Sequence, residues 1–371
     1  MAHKSPKKIR YAVVGLGYIS QIAVLPAFAH AQENSELTAF VSGDPLKQKQ
    51  LGKRYGVPRH YSYDQYDDCL RSGEIDAVYI ALPNEMHRDF TVAAARAGIH
   101  ILCEKPMAVS EQECEEMIRE AEDHNVKLMI AYRLHFEKAN LEAIGHVQSG
   151  RLGEIRFFSS EFSQQIKTAD IRLQKALGGG TLYDMGIYCI NAARYLFQAE
   201  PIQVTAFSAN SGEQRFKEID EMTAAILRFP NEGLGIFTSS FGAAATSSYR
   251  IVGTKGDLRM NPAYEYAEAL AYTLTIGGKT RFRKFPKRDQ FAAELLYFSR
   301  CILENKTPEP SGAEGLADVR IVQALYQSAE IGRPVALGPY APGRRPELKQ
   351  EIHRPPVKKP ELVHAQSPSG N

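Results

Sequence analysis

Tryptophan is absent from the 371 residues, so any aromatic wall must be built from tyrosine and phenylalanine. Cysteine is sparse: Cys69, Cys103, Cys114, Cys189 and Cys301 are scattered, odd in number and free of C-x-x-C spacing. That excludes a disulfide framework and reads as reduced thiols in a cytoplasmic protein. No His/Cys cluster stands at ligand spacing, so no metal is expected. Neither sign of charge is in excess. A net charge of +2 argues against nucleic acid or an acidic membrane surface as the main partner. No segment approaches the ~18 apolar residues of a membrane span. The basic start, His3-Lys4 and Lys7-Lys8, is followed by too short an apolar run for a signal peptide. What is left is an ordinary globular composition, 44% hydrophobic and 24% charged, with length for two domains of ~150 residues.

The most informative stretch is Ile9–Ser20. An apolar run drives into Gly15-Leu16-Gly17, and a helical pattern, Ile19–Ala31, begins at once behind it. A dinucleotide site needs this order: a strand, a tight turn that lets backbone approach a pyrophosphate, then a helix N-terminus with free N–H groups. The third fingerprint position is Ser20 rather than glycine. Strand-like runs follow at Leu37–Val41, Ile75–Leu82, Ile99–Cys103 and Lys127–Ala131. Helical patterns separate them at Pro45–Tyr55, His87–Ala97 and Ser110–His124, the last with a capping box from Ser110 and Glu113. These strands interleaved with helices predict a doubly wound parallel (Rossmann) sheet over residues 1–131.

The pattern then changes. Helices are expected at Glu137–Val147 and Asp184–Phe197, followed by strands at Ile202–Ser208, Ala224–Phe229, Leu234–Phe241, Tyr249–Val252 and Ala271–Thr275. Helices at Asp289–Asn305 and Gly312–Ile331 close the unit. Residues 132–338 thus read as an α+β domain with an open, mainly antiparallel sheet. Residues 339–371, rich in Pro, Lys, Arg and Glu, read as an extended or disordered tail.

Three places carry chemistry. The second strand ends at Ser42-Gly43-Asp44, with Lys47 one helical turn on. A hydroxyl and a cation there suit the 2′-phosphate of NADP, whereas NAD calls for a carboxylate; Asp44 stands two positions late for that role. Glu104-Lys105-Pro106 follows the fifth strand at the carboxyl edge of the sheet, where open α/β folds bind ligands. Its lysine is either a working cation or a loop residue paired with Glu104. Gly178-Gly179-Gly180 precedes a helix on which Asp184 and Tyr188 stand four apart, on one face. The triple glycine is a second place for close backbone approach to a ligand. Tyrosine is a poor base near neutrality unless a cation such as Lys105 favours its phenolate. Otherwise Asp184 is a helix cap and Tyr188 packing.

Together these motifs resemble the glucose–fructose oxidoreductase / inositol dehydrogenase family. The likeness covers about Arg10–Pro334 and includes Val41-Ser42-Gly43 with Lys47, Leu82-Pro83-Asn84 with His87, Glu104–Ala108 and Tyr132–Phe136. Tyr188, where inositol-type members carry histidine, sorts the chain with the sugar-oxidoreductase branch. The resemblance implies Lys105, Asp184 and Tyr188 as catalytic residues. It implies cofactor contacts from Gly15, Gly17, Tyr18, Ile19, Ser42, Lys47, Tyr63, Leu82, Pro83, Asn84, His87, Glu104, Lys105, Arg133 and Arg172. The implied activity is NADP-dependent hydride transfer with an aldose or ketose, in ping-pong form if the cofactor is retained. The alternatives are a deoxysugar-nucleotide ketoreductase and a non-catalytic NADP-binding regulator. The implied assembly is a homodimer or homotetramer through the C-terminal sheet. Two departures stand out: Ile171-Arg172-Leu173 replaces W-R-L, and no proline-rich N-terminal arm resembles the family's lock on NADP.

Overall fold

The structure, a computed structural model, describes residues 7–341 and 343–369, so His3-Lys4 lies outside the described residues. The first half is built from β1 (Ile9–Val14), α1 (Leu25–Ala27), β2 (Ser35–Val41), α2 (Pro45–Tyr55), β3 (Arg59–Tyr61), α3 (Tyr66–Arg71), β4 (Ala77–Ile80), α4 (His87–Arg96), β5 (His100–Glu104), α5 (Glu111–Asp123) and β6 (Leu128–Ala131). Its strands form an all-parallel sheet in the order β3-β2-β1-β4-β5-β6. Strand order, not direction, reverses between β1 and β4, which opens a crevice at the carboxyl ends of those two strands. The sheet is apolar on both faces, as buried parallel strands require.

The expected helix Ile19–Ala31 is broken. A π turn over Ser20–Val24 runs into the three-residue α1 and then a 3-10 turn over Phe28–His30. Pro26 accounts for the break, since it lacks an N–H and its ring crowds the carbonyl four residues back. The capping box is also altered. Ser110 Oγ accepts from the Glu113 N–H at 3.2 Å, but the Glu113 carboxylate reaches past Ser110 to the Val109 N–H at 3.1 Å.

The second half adds α6 (Lys138–Gln148), β7 (Ile155–Ser163), α7 (Ile187–Phe197), β8 (Gln203–Ala209), β9 (Met222–Arg228), β10 (Leu234–Ser240), β11 (Thr246–Gly253), β12 (Gly256–Met260), β13 (Ala271–Ile276), β14 (Lys279–Lys284), α8 (Gln290–Leu303), α9 (Gly312–Ile331) and β15 (Val335–Ala336). The sheet order is β14-β13-β12-β11-β7-β10-β9-β8-β15, antiparallel except for the parallel pair β7–β10. One face packs on α6, α7 and α9; on the other, Phe157, Phe207, Ile226, Leu234 and Ile236 are exposed.

Helix α8, late in the chain, covers the first sheet rather than the second. Tyr11 on β1 meets Ser299 hydroxyl to hydroxyl at 2.8 Å, and the Asn34 amide donates to the Leu296 carbonyl at 2.9 Å. Past Gly338 the chain is extended but docked. Tyr340 donates to the Ala313 carbonyl, Arg345 pairs with Glu200, Arg354 pairs with Glu33, and the Val363 side chain sits in the core beneath β1. Among the described residues no helix is long and apolar enough to cross a membrane.

Candidate active site

A cleft of about 1070 Å³ runs between the two sheets, and every residue named above as catalytic or cofactor-binding lines it. At one end is the glycine turn. Gly15 has φ +93°, and a Cβ there would come within 2.3 Å of the Ala81 carbonyl. A Cβ on Gly17 would meet no atom of the protein, because that side faces the open cleft. Ser20, at the third fingerprint position, is fully buried and donates back to the Gly15 carbonyl at 2.6 Å. It thereby ties the first turn of the helix to the glycine loop, where a third glycine would merely allow close packing.

Beside this turn, Ser42, Asp44 and Lys47 form a corner of the cleft. Asp44, not Ser42, caps α2: one carboxylate oxygen accepts from the Leu46 and Lys47 N–H groups at 3.0 and 3.1 Å. Its other oxygen lies 3.2 Å from the His364 ring. Backbone hydrogen bonds, first that of Lys47, hold the Asp44 carboxyl below its ordinary range. With both oxygens engaged, Asp44 is a poor partner for ribose hydroxyls. Among the described residues no ion pair occupies the Lys47 ammonium.

The other end of the cleft holds Lys105, Asp184 and Tyr188. Lys105 leaves Glu104, which instead accepts from the Tyr79 hydroxyl at 2.8 Å. Its ammonium donates to the Asp184 carbonyl at 2.9 Å and to the Asp184 carboxylate at 3.3 Å. The second Asp184 oxygen takes Arg172 Nε at 2.9 Å, so Asp184 is no helix cap. Burial alone would push the Asp184 carboxyl up; the Arg172 and Lys105 cations outweigh it and bring it down to about 2. Burial likewise opposes the Lys105 ammonium, but Tyr188 and Asp184 together hold it above its ordinary range.

Tyr188 is set between two cations. The Lys105 nitrogen stands 4.8 Å from its ring centroid and the Arg133 guanidinium carbon 5.1 Å. The direct partner of its hydroxyl is Arg133 Nη2, at 3.2 Å. Arg133 is expected from the sequence as a cofactor contact and Lys105 as the cation beside the tyrosine; the structure brings both cations against Tyr188. Arg133 is itself pinned by Gln290 Oε1 and the Tyr264 carbonyl, groups brought from α8 and from the loop after β12. Nothing in the local pattern around Arg133 announces either partner.

Asp184 sits on a π turn, Leu182–Gly186, that leads into α7, and Tyr188 stands in the first turn of that helix. Such turns are rare, and both that frame this cleft stand at its working ends. The triple glycine lines the cleft, and the packing around it also leaves no room for side chains. A Cβ on Gly178 would strike Val109 and Asn84, on Gly179 the Arg172 carbonyl, and on Gly180 the Tyr326 hydroxyl. Asn84 also donates to the Gly178 carbonyl at 2.8 Å, locking the two halves of the cleft together. His87 is fully buried. Its ring lies between the carbonyls of Leu82 and Pro106, so it braces two floor loops from behind. Burial lowers its basicity.

Residues 9–132 match the group described as "Oxidoreductase family, NAD-binding Rossmann fold", and residues 141–259 match "GFO/IDH/MocA C-terminal domain". The chain belongs to the Gfo/Idh/MocA oxidoreductase family. Its relatives in that family include a D-xylose 1-dehydrogenase [NADP(+)] of Haloarcula marismortui, 32% identical over 89% of this chain and 93% of the relative. A dTDP-3,4-didehydro-2,6-dideoxy-alpha-D-glucose 3-reductase of Actinomadura kijaniata is 28% identical over 86% of this chain and 96% of its own. Among solved structures, an aldose-aldose oxidoreductase from Caulobacter crescentus complexed with glycerol superposes with a TM-score of 0.85. It is 39% identical, over 89% of this chain and all of that one. The Gfo/Idh/MocA dinucleotide cradle fits the residues present: an open Gly17, a helix start behind it, and Ser42 with Lys47 in place of an available carboxylate.

Proposed function

We propose that the protein is an NADP-dependent sugar oxidoreductase acting on a CH–OH group of an aldose or ketose. The observation that carries this is the convergence of Lys105, Asp184, Arg133 and Tyr188 in a cleft that also contains the glycine turn. A non-catalytic regulator has no use for a phenol held between two cations. The nicotinamide, when bound, supplies or accepts the hydride. Tyr188 takes the hydroxyl proton in oxidation and returns it in reduction, with Arg133 at its hydroxyl and Lys105 beside its ring. Lys105 spends donors on the Asp184 carbonyl and carboxylate, and one of its three N–H groups remains to hold the sugar oxygen. Asp184, kept ionised by Arg172, fixes that ammonium in place. Purified protein assayed with NADP against a panel of aldoses and ketoses tests the reading; no turnover of any sugar would end it.

The corner at Ser42 and Lys47 gives the cofactor preference. A phosphate dianion there gains charge-assisted hydrogen bonds. Lys47→Ala should weaken NADP binding by roughly 1.5–3 kcal/mol, the range for hydrogen bonds to charged groups, and barely alter NAD binding. Titration calorimetry decides it, and equal affinity of the unmodified protein for both cofactors refutes the claim.

The exposed sheet face supports a homo-oligomer. Leu234 and Phe157 are register partners, as are Ile236 and Ile226, so the exposed side chains form one apolar patch. Ile236→Asp should convert the assembly to monomers in light scattering; an unmodified protein that is already monomeric would contradict it. All five cysteines are buried and unpaired, which supports a reducing, cytoplasmic setting.

A further inference from the structure

We propose that the C-terminal segment 363–369 is part of the dinucleotide site and retains the cofactor by strapping it into the cleft. The inference rests on the proposed function above, in that the retained ligand is NADP(H).

Both ends of the segment are fastened, one on each side of the cleft. At the first end Val363 is buried in the core cluster that includes Ile9, Leu16 and Val24, and its backbone forms a two-way bond with Gln21. The Gln21 amide donates to the Val363 carbonyl at 2.8 Å, and its oxygen accepts from the Val363 N–H at 2.8 Å. The same amide donates to the Leu16 carbonyl at 3.0 Å, so the anchor is bolted to the glycine turn itself. Gln21 is fully buried to do this. At the second end the Lys167 N–H donates to the Pro368 carbonyl at 2.9 Å, and Ser369 bridges to Ile166, just past β7. Four residues lie between Val363 and Pro368, five Cα–Cα steps with a reach of at most ~18 Å of extended chain.

Between the anchors, residues 364–369 line the cleft together with Gly17, Ser42, Asp44 and Lys47. His364 turns the chain there. It holds φ +44°, a left-handed conformation uncommon for any residue but glycine, and its ring meets the Asp44 carboxylate. Strain of this kind persists only where the surroundings hold it, and it gathers at ligand clamps. Room remains beneath the strap, since about 1070 Å³ exceeds the usual span of ligand pockets, roughly 300–1,000 Å³. Successive sugars would then meet the same dinucleotide.

The test reads release, not turnover. Full-length protein is loaded with NADPH, mixed with excess NADP in a stopped-flow fluorimeter, and followed as bound NADPH fluorescence is lost. Two variants accompany it: a chain ending at Pro360, and the full chain with Val363→Asp, which unseats the anchor without shortening the protein. Releasing the strap breaks several hydrogen bonds and one apolar anchor, so release should quicken about 100-fold in both. The unmodified protein should carry NADPH through gel filtration and the variants should not. Equal release rates in the three proteins, or failure of the unmodified protein to bind NADPH, overturn the proposal. Slow release that both variants abolish, in a protein that reduces no sugar, would uphold the strap while refuting the sugar reading.

Discussion

Tyr188→Phe is expected to slow hydride transfer by ~10²–10⁴-fold, the usual contribution of a positioned acid–base group, or about 3–5 kcal/mol of barrier. The substitution is clean because the ring keeps its neighbours. Phe162 meets it edge-on at 5.5 Å between centroids, and Tyr264 packs tilted at 5.8 Å. Among the described residues one protein hydrogen bond is lost, that from Arg133 at 3.2 Å, and Arg133 keeps Gln290 and the Tyr264 carbonyl. Stability should therefore fall by no more than ~0.5–1.5 kcal/mol, the net worth of such a bond. NADP affinity should hold. Single-turnover kinetics beside a melting curve separate the two effects. A variant with most of its rate intact would return Tyr188 to packing.

The nucleotide-binding half was legible because its signals are local. The run into Gly15-Leu16-Gly17, the continuous apolar Ala77–Ile80 and the N-cap at Ser110 each state their structure within a few residues. β3 was not legible: Arg-His-Tyr is three residues with no apolar repeat, and it pairs only at the edge of the sheet. β14 hides for a similar reason. Lys279–Lys284 is exposed along its whole length and is basic at four positions, the charge that keeps an edge strand from pairing further. β7 was missed although it is central, because its pairing with β10 is set by residues some 80 positions away.

The site divides the same way. Lys105, Asp184 and Tyr188 could be named from their place at a sheet edge and a helix start. The role of Arg133 could not, since its partners Tyr188, Tyr264 and Gln290 come from three separate elements. Gln21 gave no sign either. A polar residue at a buried position of a helical pattern carries meaning only once Val363 is seen to fill it. The tail was read from composition as extended or disordered, and composition cannot register a single valine that finds a slot in the core.

Lys105→Met should lower turnover by about 10²–10³-fold, the cost of removing one donor aimed at a developing oxyanion. The structure adds a second consequence. The ammonium holds Asp184 through both its carbonyl and its carboxylate, so its loss leaves that buried carboxylate with Arg172 alone. In the unmodified protein the Asp184 carboxyl is lowered to about 2, so its stabilising effect is complete above its unfolded value of ~3.9 and is lost as pH falls through about 2. The Lys105 ammonium is raised, so its effect is complete below its unfolded value of ~10.4 and fades as pH climbs through the higher folded value. The pair is therefore charged throughout the working range, and a pH dependence of turnover within it belongs to the proton-transfer step. With methionine at 105, acid unfolding should begin at a higher pH, as Asp184 loses a cation. Lys105→Arg should restore acid stability but little turnover, since a planar fork replaces a compact ammonium with three donors. A Lys105→Met enzyme with unchanged turnover would refute the mechanism and leave the chain a dinucleotide-binding fold with no assigned chemistry.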